Sequence, residues 1–99
     1  MWQLALRASE LPRDSGRSLD IDGQRVALFN VDGKYYALAD ICMHRGGPLG
    51  EGYLESGKVI CPWHAWDFDV KTGECQTMKG SKQKTYKTKT KNGGVFVEL

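Results

Sequence analysis

The sequence predicts an all-β fold, an antiparallel sandwich or barrel of short strands. Three observations carry this. Apolar runs of roughly five to seven residues recur, with turn signals at roughly eight- to twelve-residue spacing. Several of those signals are X-Gly pairs, at Asp22-Gly23, Asp32-Gly33, Ser56-Gly57 and Asn92-Gly93, the residues that tight hairpin loops prefer. No stretch repeats its apolar residues at a helical period. With 99 residues the expectation is a single domain, residues 1–99, without repeats.

Taken in order, Trp2 to Leu6 alternates loosely and reads as a first strand. Glu10 to Gly16 is polar and breaker-rich, so it reads as a surface loop. A turn is expected at Asp22-Gly23. Arg25 to Val31 and Lys34 to Ala39 read as strands joined at Asp32-Gly33, and the second delivers the chain to Cys42. Arg45 to Gly50 is a glycine-rich loop. Glu55 to Lys58 is a turn, followed by a short strand, Val59-Ile60, that enters Cys61. Trp66 to Val70 alternates as a strand, and Lys71 to Glu74 turns again. Lys84 to Thr90 and Val95 to Leu99 read as a last hairpin around Asn92-Gly93.

Composition narrows the class. Forty per cent apolar residues and ten aromatics (three Trp, four Tyr, three Phe) can fill a modest core. No run has membrane-spanning length and no cleavable leader pattern opens the chain, so a soluble, cytoplasmic protein is expected. Three cysteines, two of them candidate ligands, leave Cys75 without an intramolecular disulfide partner, which suits a reducing compartment.

The chemistry is concentrated between Cys42 and Phe68. Cys42-Met43-His44 is followed by sixteen residues and then Cys61-Pro62-Trp63-His64. Both histidines of the chain and two of its three cysteines fall in these two boxes. Thiolate with imidazole suits zinc or iron. Ligand pairs this close cannot all reach one small ion without a sharp backbone bend. Two loops meeting tip to tip can instead hold the two ends of a two-iron cluster, and a [2Fe–2S] centre with two cysteines on one iron and two histidines on the other needs this set.

These boxes resemble the cluster signature of Rieske-type proteins. The likeness extends through Arg45-Gly46-Gly47-Pro48-Leu49 after the first box, and through Ala65 to Asp69 and Lys71-Thr72-Gly73 after the second. It is strongest to the small Rieske ferredoxins of ring-hydroxylating dioxygenases and to nitrite reductase small subunits. The resemblance implies three stacked antiparallel sheets, with a smaller cluster-binding subdomain at about residues 40–69. It implies that Cys42 and Cys61 bind the inner iron as thiolates, and that His44 and His64 bind the outer iron as neutral imidazoles near the surface, where electrons leave. The glycine-rich loop would wrap the cluster and donate N–H groups to its sulfurs.

Departures from the family pattern carry expectations of their own. Respiratory relatives join the two loops by a disulfide, and the matching positions here are Gly47 and Trp63. High-potential relatives place hydroxyls where this chain has Trp66 and Phe68. Hydrogen bonds to a charged group are worth about 1.5–3 kcal/mol each, so their loss predicts a potential near the low end of roughly −150 to +300 mV. Ala65 stands where many relatives have glycine. The third loop that covers the cluster in relatives contains proline, and Cys75 to Ser81 has none.

The other residues have plainer roles. Trp66 and Phe68 share a strand parity and read as core. Trp63 shields the cluster, docks a partner or packs within its loop. Met43 reads as part of an exposed apolar rim, and Cys75 as a bystander thiol. Lys79, Lys82, Lys84, Lys87, Lys89 and Lys91 read first as a solvated hairpin edge guarded against strand pairing. The sharper reading is a patch that orients an acidic partner. Few aromatics interleave the stretch, so no nucleic-acid role is expected.

The function implied is a one-electron carrier, taking an electron from a flavin-containing reductase and passing it to a terminal oxygenase. It would be a monomer that meets its partners transiently, and no enzyme in itself. Four ligands saturate both irons, and no flavin, nucleotide or 2-His-1-carboxylate signature is present. The rival readings are the small subunit of a nitrite reductase, a zinc-stabilised Cys2His2 interaction module, and an iron–sulfur sensor.

Overall fold

The computed structural model describes residues 1–42, 46–63 and 66–99. Among them are ten strands: β1 (Trp2–Arg7), β2 (Ser15–Ile21), β3 (Gln24–Val31), β4 (Lys34–Ala39), β5 (Tyr53–Glu55), β6 (Lys58–Ile60), β7 (Asp67–Asp69), β8 (Thr85–Tyr86), β9 (Thr88–Lys91) and β10 (Gly94–Glu98). Single 3-10 turns occupy Ala8–Glu10 and Leu49–Glu51. The strands form three antiparallel sheets, in the orders β1-β10-β9, β2-β3-β4-β8 and β5-β6-β7.

β3 explains the stacking. Val26, Ala27, Leu28 and Phe29 are all 0% exposed, and a strand buried on both faces must lie in a middle layer. Side chains alternate across a strand. Ala27 and Phe29 accordingly enter one core with Leu38, Val59, Phe68 and the cysteines. Val26 and Leu28 enter a second core with Leu6, Ala37, Val95 and Val97. The pairs Ala27↔Leu38 and Leu28↔Ala37 keep opposite residues on the same side. The middle sheet thus separates the β1-β10-β9 sheet from the β5-β6-β7 sheet. Cutting Phe29 or Phe68 back to alanine would cost about 3–5 kcal/mol at such a site.

The expected hairpin turns are present. Asp22-Gly23, Asp32-Gly33, Ser56-Gly57 and Asn92-Gly93 each have positive φ at both residues. Two consecutive positive φ values give the turn whose twist matches that of the flanking strands. Each joins its strands through a two-residue loop, as the registers Ile21↔Gln24, Val31↔Lys34, Glu55↔Lys58 and Gly94↔Lys91 record.

Other expectations are corrected. The Glu10–Gly16 loop is shorter than expected, because Ser15 already opens β2. Leu11, inside that polar stretch, is 2% exposed in the second core. Asn30 draws it there, donating from its amide to the Leu11 carbonyl at 2.8 Å. β5 was not anticipated, and the strand at Trp66–Val70 is only Asp67–Asp69. Lys84–Thr90 is not one strand: β8 completes the middle sheet against β4, whereas β9 pairs with β10 in the first. The chain changes sheets at Lys87, whose carbonyl accepts the Glu98 N–H at 2.9 Å.

Candidate metal centre

Cys42 and Cys61 fall on loops that lead into and out of the β5-β6-β7 sheet. The first leaves β4 and is closed at its base by Asp40, which is 1% exposed. The Asp40 carbonyl accepts the Leu49 N–H at 2.8 Å, and its carboxylate accepts the Gly50 N–H at 2.8 Å. Ser18 Oγ donates to the same carboxylate at 2.7 Å, and Arg25 reaches its other oxygen at 3.1 Å. Gln83, also buried, donates from its amide to the carbonyls of Ala39 (2.8 Å) and Ile41 (2.6 Å). The residue just before Cys42 is thereby fixed from a distant part of the chain. Neither Asp40 nor Gln83 was singled out in the sequence. A lone polar residue has no spacing signal, and only burial reveals its role.

Within the first loop the Cys42 N–H donates to Gly47 O and the Gly46 N–H donates to Cys42 O, both at 2.8 Å. The second loop leaves β6 and closes where the Cys61 N–H donates to Trp66 O at 2.8 Å. Cys42 and Cys61 are 2% and 1% exposed and belong to the same apolar cluster. His44 and His64 lie outside the described residues, as do Met43, Arg45 and Ala65.

The two loops touch at Gly47. A methyl group there would lie 2.7 Å from Cys61 Sγ and 3.1 Å from the Trp63 indole. Only a hydrogen leaves room for the sulfur, so glycine is needed here for close approach. Trp63 covers this contact while remaining 65% exposed. The third loop is anchored without proline. Thr77 Oγ1 donates to the Asp67 carboxylate at 2.6 Å, the Gln76 N–H donates to Asp67 O at 2.9 Å, and Cys75 Sγ accepts the Met78 N–H at 3.3 Å. Cys75 is buried in the same apolar cluster as the other two cysteines. Phe68 is fully buried there, and Trp66 packs half-buried against it.

A family model for the Rieske [2Fe-2S] domain matches residues 1–90. The chain belongs to the Rieske family. Rieske relatives include the ferredoxin component of the naphthalene 1,2-dioxygenase system of Pseudomonas putida, 31% identical over 99 residues, covering 99% of this chain and 95% of the relative. The 3-phenylpropionate/cinnamic acid dioxygenase ferredoxin subunit of Shigella flexneri is 39% identical over 87 residues, covering 85% and 82%. Among solved structures, a chain in the complex of reduced oxygenase and oxidized ferredoxin of carbazole 1,9a-dioxygenase superposes with a TM-score of 0.89 at 28% identity, covering 97% of this chain and 91% of that one.

This Rieske protein carries one [2Fe–2S] cluster and is an electron carrier, not a catalyst. The described residues fit the cluster. Two thiols shielded from water share one apolar core, on loops whose contact leaves no methyl between Gly47 and Cys61 Sγ.

Proposed function

We propose that this chain is the ferredoxin component of a multicomponent oxygenase system, accepting an electron from a flavin-containing reductase and delivering it to a terminal oxygenase. Cys42 and Cys61 hold one iron as thiolates, and His44 and His64 hold the other through imidazole nitrogens. Residues 1–99 act as one domain, with its cluster-binding part at about 40–69. The protein works as a monomer in the cytoplasm. Among the described residues no helix is long and apolar enough to cross a membrane.

The observation that carries this reading is the pair of buried thiols on two braced loops under an exposed apolar rim. Ile41, Trp63 and Met78 are 56%, 65% and 51% exposed, one on each of the three loops. The cluster supplies reversible one-electron chemistry when bound. The chain's own residues exclude water from the sulfurs, fix the loop stems through Asp40 and Gln83, and present apolar contact area to a partner.

Electron paramagnetic resonance of the dithionite-reduced protein, with iron and sulfide counted on the same sample, tests the proposal. A rhombic signal of low average g with two irons and two sulfides per chain is expected. A silent, colourless protein containing zinc would replace the carrier with a structural zinc module.

A further inference from the structure

Two lysines of the basic stretch, Lys87 and Lys89, line a groove on the surface. Lys79 to Lys91 holds six lysines and no carboxylate. The chain has 14 cationic and 12 anionic residues, so the remainder holds eight against twelve, a net −4. Among the described residues both ion pairs use arginine, Arg13–Asp32 and Arg25–Asp40, so none of these lysines is neutralised by the chain itself.

The groove beside the stretch is open, of about 630 Å³, and its walls come from the first two sheets and from the turn that follows β7. Trp2 and Lys89 belong to the first sheet, Tyr36 and Tyr86 to the second, and Lys71 follows the third. The Lys89 ammonium stands 4.4 Å from the centre of the Trp2 ring, Lys84 5.0 Å from that of Tyr86, and Lys71 5.9 Å from that of Tyr36.

β8 and β9 are the outer strands of their sheets, so edge protection accounts for lysines on them. It accounts neither for the aromatic floor nor for Lys71, which lies on a separate turn. Each of the three rings already carries an ammonium over its face. A nucleic-acid base would have to displace that ammonium to stack, whereas a carboxylate can pair with it where it stands.

We propose that this groove docks an acidic segment of a protein partner, its carboxylates on Lys71, Lys87 and Lys89 and its apolar parts over the rings. The proposal rests on the electron-carrier reading, because the partner it serves is a redox protein.

The test titrates the purified protein with an oligoglutamate peptide at low salt by calorimetry. The triple variant K71Q/K87Q/K89Q should bind at least about tenfold more weakly, as expected when several ammonium–carboxylate contacts are removed. A control with the same charge loss elsewhere, R7Q/R17Q/K58Q, should lose less than about threefold, the effect of net charge alone. Equal losses in the two variants would overturn the groove. Tighter binding of oligothymidylate than of oligoglutamate, abolished in the groove variant, would replace the acidic protein with nucleic acid. The resonance spectrum of the same samples separates the two readings: a missing cluster signal sinks the carrier and leaves the groove titration standing.

Discussion

At the level of single residues, the cluster end depends on groups with little room to change. Gly47 faces Cys61 Sγ at a distance no methyl tolerates. Gly47→Ala should therefore push the two loops apart, an overpacking cost of about 1–3 kcal/mol. The expected outcome is iron and sulfide well below two per chain in purified protein, and full loading in the variant would refute it. Asp40 closes the first loop by accepting Gly50, Ser18 and Arg25 at once. Replacing it with alanine leaves a buried N–H and hydroxyl unmatched and removes the partner of Arg25, itself half exposed. A buried group left unpaired costs about 1–3 kcal/mol, and Arg25 can turn to solvent, so a loss of that order is expected in denaturant unfolding. Spacing marks Cys42 and Cys61 in the sequence, and the structure buries both in one core. Asp40 and Gln83 carry no such mark, because their partners are distant in sequence.

At the level of elements, legibility followed local constraint. The four X-Gly turns were readable because consecutive positive φ values restrict which residues can stand there. β3 and β4 were readable from their apolar runs. β2 was missed because Ser-Gly-Arg-Ser-Leu-Asp-Ile offers only two large apolar residues, and an outer strand of the sheet needs few. The division of the lysine stretch into β8 and β9 was missed because nothing in Lys-Thr-Tyr-Lys-Thr-Lys-Thr breaks a strand. Tertiary pairing alone decides the change of sheet. The third loop replaces proline rigidity with hydrogen bonds, chiefly Thr77 to Asp67. Thr77→Val removes that bond and the Asp67 N–H donation to the same hydroxyl at 3.2 Å, a loss of about 1.5 kcal/mol for an exposed bond to a charged group. Cluster loss to a chelator should then quicken about tenfold, the equivalent of that energy. An unchanged rate would mean the loop is held by its backbone bonds alone.

For the whole molecule, the redox potential reports how the fold surrounds its cofactor. Trp66 and Phe68 bring no hydroxyl to the cluster, and Phe68 is fully buried in the core that holds both thiols. A redox titration should give a midpoint near the low end of the Rieske range, about −150 mV, and a value well above zero would contradict this. The middle sheet has a further effect through β3, whose alternate side chains serve both cores. Neither core can dissolve while the other keeps its shared wall, so the molecule lacks a seam along which to open by halves. Amide exchange should reflect this. The N–H groups of Val26 to Phe29 should exchange only through global unfolding. Cluster loading should slow them as much as it slows Val95 and Val97, on the far side of the sheet. The electron-carrying end and the opposite pole then keep time together, and the distant sheet becomes a place from which the presence of the cluster can be read.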